Sequence, residues 1–354
     1  MTSWPWMKGV GVGVADAIPP VDELDDRPSV KGLIEENRIV IDQVRIELEA
    51  DPLYDAGKHD QLWILRFLLS HKLDKKRALK AAKTALIFRN EHKLDEKDIR
   101  FSPVAKNHEN EIVRKHQSFC QDGAVRFEVP DKKRGVVGFI LYSAIDQHSM
   151  VKEMDKAHWL PALGYISEWS FQWVDYVTRT TGRFTKSIRL IDTRGFALSM
   201  ISYEGLKLDG EAMGVMEDCY PQMLQGIFVC NPPSWIHIPW QICRKILPKR
   251  LISKIDFVRP DKNEKERKRI LKYISEDNLP SIYGGKNTGS GSGVGHVEAA
   301  RGEEEADAAD LDTLKQQIAE DAAAADADEE GSGVEGLQEI YDDIPTTTSA
   351  ITHL

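Results

Sequence analysis

The chain has 354 residues, 41% hydrophobic and 29% charged, with a formal net charge of −10 at pH 7, a length that fits one large domain with tails or two domains. The charge is unevenly placed: residues 287–354 hold 17 Asp and Glu against only Arg301 and Lys315, so the first 286 residues keep 45 basic and 40 acidic side chains and suit an anionic surface. The four cysteines, Cys120, Cys219, Cys230 and Cys243, form no C-x-x-C pair and have no His at ligand spacing, which argues against a zinc site or a disulfide framework; no cofactor is expected.

Residues 1–28 read as an irregular leader. Gly9, Gly11 and Gly13 alternate with valines, but no strand precedes them and no third glycine falls at a dinucleotide-binding offset. Trp4 and Trp6 could sit at a membrane interface. No cationic stretch with an apolar core follows, and the longest nearly apolar run, residues 136–145, is half of the roughly 20 residues a span needs. The expectation is a soluble, cytoplasmic monomer that touches membranes transiently.

Residues 29–115 read as a helical lobe. Leu33, Ile34, Val40, Ile41, Val44 and Leu48 mark one amphipathic helix, and residues 62–69 a densely apolar second one. Asp74 reads as the N-cap of a third over 75–92, with Ala78, Leu79, Ala82, Leu86 and Ile87 as its buried stripe. Residues 116–286 change character. Strands are expected over 125–129, 136–141, 187–192, 226–230 and 254–258, and helices over 150–180, 203–218, 235–246 and 264–274. That alternation argues an α/β domain with a mixed, largely parallel sheet flanked by helices.

Residues 287–354 combine a Gly/Ser run with Ala, Asp and Glu tracts, too polar to offset the entropy of ordering, and read as a disordered acidic tail. The final Thr352, His353 and Leu354 have the form of a carboxylate ligand for a peptide-binding domain, or of an uninvolved terminus.

Several short motifs then recur in a telling order. They are Leu62-Trp63-Ile64-Leu65-Arg66-Phe67 with His71-Lys72-Leu73-Asp74, Asp192-Thr193-Arg194-Gly195, Tyr220-Pro221, Asn231-Pro232-Pro233, Ser253-Lys254-Ile255, and Asn278-Leu279-Pro280 with Gly284-Gly285. Over residues 60–286 this succession resembles the CRAL-TRIO lipid-binding family. The resemblance implies a helical N-lobe on a sheet-floored hydrophobic cavity, closed by a mobile gate helix. Its gate matches the segment with Trp235, Ile236, Ile238, Pro239, Trp240, Ile242, Ile246 and Leu247, which reads as apolar around most of its circumference, with Pro239 as a local weak point.

In phosphoinositide-binding members of the family, an Arg-Lys pair, a Glu after Tyr-Pro and a late-strand Lys surround the headgroup. The matching positions here hold His71 and Lys72, Gln222, and Lys254. Choline-lipid binders carry two alternate hydroxyls on a cavity strand, where this chain has Ser187 and then Arg189. An inward Arg189 would need an anion, either a lipid phosphate or a carboxylate such as Glu168 or Asp175, whereas an outward one would simply be solvated. Arg244, Lys245, Lys249 and Arg250 follow the gate and are expected either to dock it on anionic lipid or to cap a solvated helix end.

The implied function is binding of a single phospholipid, or another hydrophobic small molecule, and its transfer or presentation at a transient membrane surface. A second reading is a lipid-sensing adaptor whose acidic tail recruits a protein partner or folds back on the basic face. No nucleic-acid partner is expected. An enzyme is disfavoured, because no G-x-S-x-G, H-E-x-x-H or G-K-[ST] motif occurs; Asp146 and Asp192 could form an acid–base pair, although carboxylates at strand ends are usually structural.

Overall fold

The computed structural model describes residues 25–96, 98–100, 111–121, 123–131, 135–154, 156–196, 203–288 and 316. The leader and nearly all of the acidic tail, with the expectations attached to them, lie outside the described residues.

The N-lobe follows its local signals. Helices α1 (Val30–Glu36), α2 (Arg38–Leu48), α3 (Gln61–Ser70) and α4 (Lys75–Glu91) come first. Asp60 caps α3 by accepting from Trp63 N at 3.1 Å, and Asp74 caps α4 by accepting from Arg77 N at 3.1 Å. The single helix expected from Leu33 to Leu48 is two, because Asn37 leaves helical geometry and its Nδ2 donates back to Leu33 O at 2.8 Å. The expected α4 stripe is also rotated. Ala78, Ala82 and Leu86 are buried with Ala81, Ala85, Phe88 and Arg89, whereas Ile87 is 60% exposed. The rotation turns Arg89 inward toward an acidic partner.

Helix α5 (Glu111–Ser118) escaped the sequence reading, being short and mostly polar, yet it buries Val113, His116 and Gln117. Burial alone pushes the His116 imidazole down to about 4. Its ordinary value is near 6.5, so between that pH and about 4 the unfolded chain takes up a proton that the folded chain refuses. Stability therefore falls as pH drops through this window, by on the order of 3 kcal/mol at its lower end. Urea unfolding of wild type and His116→Gln from pH 7 to 4.5 should show the wild type losing its advantage on acidification. A constant difference between the two would refute this origin.

Strands β1 (Val125–Asp131) and β2 (Gly135–Leu141) are followed by α6 (Gln147–Glu153), α7 (Lys156–Thr181), β3 (Ser187–Asp192), α8 (Tyr203–Cys219), β4 (Leu224–Cys230), α9 (His237–Ile246), α10 (Lys249–Ile252), β5 (Ile255–Val258) and α11 (Glu264–Ile270). The long helix expected over 150–180 is divided at Met154, which is extended and ends α6. The five strands lie in sequence order; β1 is antiparallel to β2, and all later neighbours are parallel. This is the mixed, largely parallel α/β sheet read from the alternation of elements.

The two faces of the sheet are covered differently. On the outer face Val137, Phe139, Ile188, Leu190, Phe228, Cys230 and Val258 pack with Ile270, Ile274, Leu279 and Tyr283, and none is more than 5% exposed. The inner face looks toward the helices: α7 lies against β2, and α8 packs on α4, α7 and α9.

Most motifs that carried the resemblance turn out to build this frame. Asp192 accepts from Arg194 N at 3.1 Å and from Arg194 Nε at 3.0 Å. Thr193 Oγ1 donates to Cys230 O at 3.0 Å, and the Arg194 guanidinium lies 5.9 Å from the Tyr283 ring centre. Tyr220 Oη donates to Gly164 O at 3.0 Å, joining α8 to α7. Asp146 caps α6 through Ser149 N at 3.0 Å. The two carboxylates weighed as an acid–base pair thus both hold backbone and side-chain structure.

Candidate functional site

Parallel register places Ile191, Val229 and Phe257 side by side on the inner face, with Ile140 beside Ile191 and Ile255 beside Ile227. Ile140, Ile191, Val229, Ile255 and Phe257 are all only half-buried, although β3 and β4 are central strands. Their outer-face neighbours are sealed. An incompletely covered apolar floor in the middle of a sheet is a trough for an apolar guest.

Helix α9 lies on one side of this trough. It is entered through a 3-10 turn, Ser234–Ile236, so the helix expected over 235–246 has two parts. The Trp240 ring packs edge-on against Phe257, with centroids 5.0 Å apart, and Trp235 meets Phe196 at 5.7 Å. Trp235, Ile238 and Pro239 are buried, and Ile236, Trp240 and Leu247 are half-buried. The side chains of Ile242 and Ile246 lie outside the described set. Arg244 and Lys245 are exposed, so the segment is two-sided and not apolar all round as its sequence read. Pro239 is the third residue of α9, where no intrahelical N–H partner is lost, so it starts the helix and does not weaken its interior.

The residues matched to a headgroup site fall into two places. The first is a polar cluster where the C-terminal ends of α3 and α8 meet α10 and the start of β5. Arg250 is its hub: its guanidinium donates to Ser70 O at 2.8 Å and pairs with Glu217 at 2.9 Å and Asp218 at 3.8 Å. His71, the C-cap of α3, is held below its ordinary value by burial and then by Arg250. Lys254 is lowered by burial, with Glu217 opposing and Arg250 assisting the shift. Lys186, which the sequence reading did not single out, joins them; burial, Lys254 and Arg66 all lower it. A basic residue flanking a strand gives no sequence signal of this kind, because its role depends on the distant Arg66 and Lys254.

Lys72, next to His71 in the chain, and Gln222, three residues past the end of α8, lie in left-handed backbone, with φ of 53° and 58°. Ser187 does not offer its hydroxyl to a ligand: Oγ donates to Met223 O at 3.0 Å, at an irregularity in the β3–β4 register. Arg250 was grouped with Arg244, Lys245 and Lys249 as a docking residue, but its guanidinium is committed to the clasp just described. Arg244, Lys245 and Lys249 are exposed along α9 and α10.

Arg189 stands apart. Ile188 and Leu190 belong to the outer core, so Arg189 faces inward, next to Gly138 of β2 and Ile227 of β4. It leans over Gly138: a Cβ added there would lie 3.5 Å from Arg189 Cγ and 2.7 Å from a Phe127 ring carbon. Arg189 is 9% exposed, its Nε is buried without a hydrogen-bond partner, and burial alone lowers the guanidinium to about 10. The carboxylates considered as its partners are occupied elsewhere. Glu168 takes both terminal nitrogens of Arg89 at 2.8 and 3.1 Å, while Asp175 meets Arg66 at 3.4 Å and Arg179 at 2.6 Å.

Two further features bound the chemistry. Asp209 of α8 accepts from Trp159 Nε1 at 2.7 Å, and burial raises its carboxyl to about 6 despite that bond. The four thiols are free, and burial raises each of them, Cys243 of α9 to about 12, which leaves them as thiols at neutral pH. Among the described residues there is no cluster of three metal-ligating side chains, and no helix long and apolar enough to cross a membrane.

Residues 121–285 match the family model described as the CRAL/TRIO domain. Among curated proteins, the chain is similar to the phosphatidylinositol/phosphatidylcholine transfer protein SFH7 of Arabidopsis thaliana, at 22% identity over 233 residues. The match covers 64% of this chain but only 40% of that protein, so the chain spans less than half the length of this relative. Among solved structures, the crystal structure of Sfh5 superposes with a TM-score of 0.48 and 14% identity, covering 83% of this chain and 99% of that one.

Proposed function

We propose that the chain, whose residues 121–285 match the CRAL/TRIO domain model, holds one apolar ligand, a phospholipid above all, on the inner face of its sheet. It releases or presents that ligand at a membrane when α9 moves aside. The observation that carries this reading is the asymmetry of the sheet. The apolar side chains of the outer face are sealed, with Asp256 on the edge strand half-exposed, whereas central Ile191 and Val229 with Phe257 stay half-covered on the other face. An acyl chain laid there is removed from water, at about 0.8 kcal/mol per CH₂. For a sixteen-carbon chain that is roughly 12 kcal/mol, enough to make unassisted passage through water rare.

Helix α9 suits the part of a gate in this reading. Trp240 packs on Phe257 of the trough floor and Trp235, in the turn before the helix, on Phe196, while Arg244 and Lys245 of α9 and Lys249 of α10 are exposed. Each cation near an anionic bilayer contributes ~1 kcal/mol to docking. The clasp of Arg250 on Ser70, Glu217 and Asp218 gives the segment a fixed end about which α9 could swing. The polar cluster of His71, Lys72, Lys186, Gln222 and Lys254 is the proposed headgroup seat. SFH7 is named for transfer of phosphatidylinositol and phosphatidylcholine, and that pair of lipids heads the list to test. Where the phosphoinositide pattern has a carboxylate, Gln222 supplies only an amide, so selectivity for inositol lipids should be weak.

Native mass spectrometry of the full chain purified from cells should show a single adduct of lipid mass. A labelled phospholipid should move between vesicles when the protein is added, faster toward acceptors that contain anionic lipid. Protein that carries no adduct and moves no lipid would overturn the proposal.

A further inference from the structure

We infer that Arg189 is the seat of an anionic oxygen group belonging to the apolar ligand itself, a carboxylate or a phosphate ester drawn into the trough. This deepens the proposed function and rests on it.

Three observations converge on the residue. Its position on β3 puts its side chain on the inner face, between buried Gly138 and Ile227 and two residues before half-covered Ile191, because Ile188 and Leu190 are built into the opposite core. Its side chain is buried, with Nε closed to solvent and lacking an acceptor. No carboxylate among the described residues reaches it: Glu168 and Asp175, the acids considered for the part, are bound by Arg89, Arg66 and Arg179. The cations around Arg250 form a separate group that shares no partner with it.

A buried charge without a partner is one of the costlier arrangements a fold can hold. The chain contrasts Arg189 with Arg89, which is also buried but has two carboxylates around it. With Nε sealed and no acceptor offered among the described residues, the missing partner is one that arrives with the guest. Guanidinium is a planar fork that matches the paired oxygens of a carboxylate or phosphate, and it stays charged even when buried. A neutral guest laid over the same floor would leave the guanidinium desolvated and unanswered. Gly138 contributes as well: with no Cβ, it leaves room for Arg189 to lie across β2 beside the Phe127 ring.

The test uses pairs of guests that differ only in the charged group. Full-length wild type, Arg189→Met and Arg189→Lys are incubated with oleic acid or oleyl alcohol, and separately with vesicles containing phosphatidic acid or diacylglycerol. Retained guest is counted by native mass spectrometry. Wild type should retain the anionic member of at least one pair tenfold or more over the neutral one. Preference in the first pair identifies a carboxylate, and in the second a phosphate. Arg189→Met should erase the preference while still taking up the neutral guests, and Arg189→Lys should keep part of it. If Arg189→Met does not fold, the preference of wild type within each pair still decides. Neutral and anionic guests held equally by wild type, or a preference unchanged in Arg189→Met, would sink the anion seat and leave the trough intact. If wild type retains none of the four guests yet still moves labelled phospholipid between vesicles, the anion seat falls alone; if it does neither, the proposed function falls and this inference with it.

Discussion

Arg89→Met should destabilise the folded protein by about 3–5 kcal/mol, the range for removing one member of a buried ion pair. Arg89 is 2% exposed and Glu168 0%, and the two meet through paired hydrogen bonds of 2.8 and 3.1 Å. Arg89 Nε also donates to Asp95 Oδ1 at 2.6 Å, and Gln172 Nε2 donates to Glu168 Oε1 at 2.9 Å. Burial opposes the charge on Arg89, but Glu168 and Asp95 outweigh it and hold the guanidinium well above its ordinary value. Methionine fills much of the same space without the charge, so the loss measures the carboxylate left stranded in the core. Arg89→Met with Glu168→Leu should cost far less than the two single changes together, with a coupling of roughly 2 kcal/mol or more. Urea unfolding of the four proteins completes the cycle. Additive losses, or a single-variant loss below about 1 kcal/mol, would mean that this joint between α4 and α7 is not what fastens the N-lobe to the sheet domain.

Gly285→Ala should cost about 3 kcal/mol, at the upper end of overpacking penalties. A Cβ on Gly285 would stand 1.9 Å from Leu279 O and 2.5 Å from Leu279 C, and a backbone carbonyl cannot swing away as a side chain could. The same carbonyl accepts from Asn287 N at 3.1 Å, and Gly285 N donates to Pro280 O at 3.3 Å, so the crowded atoms close the C-terminal segment on itself. That segment brings Leu279 and Tyr283, both 0% exposed, onto the outer face of the sheet. For a domain of this size the melting temperature should fall by roughly 6–10 °C. Gly182→Ala is the matched comparison: φ is +64° there, yet nothing lies within 4 Å of the new Cβ, so only the backbone preference of about 1 kcal/mol is lost. Equal melting temperatures for the two variants would show that the turn yields and the contact at Leu279 is soft.

Much of the frame was legible because its signals are local. Asp60 and Asp74 announce helix starts and do cap them. Residues 187–192 alternate and form β3 with the bounds read from them. The motifs Asp192-Thr193-Arg194, Tyr220 and Gly284-Gly285 were recognisable because turn geometry and close backbone approach restrict what each position tolerates. They mark the container, and for that reason they say little about what it holds.

Other features depended on partners far along the chain. Ile87 looked like part of a buried stripe until α4 turned to bring Arg89 to Glu168, 79 residues away. Ser187 looked free to bind a ligand, and its hydroxyl is taken by Met223 O. Arg250 read as one of four docking cations, and it closes a clasp with Ser70, 180 residues distant.

The sequence by itself determined the order of elements, the helical lobe and the largely parallel sheet. Those follow from side-chain periodicity and capping chemistry, which act over a few residues. Only the tertiary structure decided that the two faces of the sheet are covered unequally, and that Arg189 lies on the less covered one with no carboxylate among the described residues to answer it. Burial and charge pairing are properties of what folding brings together, so a single stretch of sequence cannot carry them.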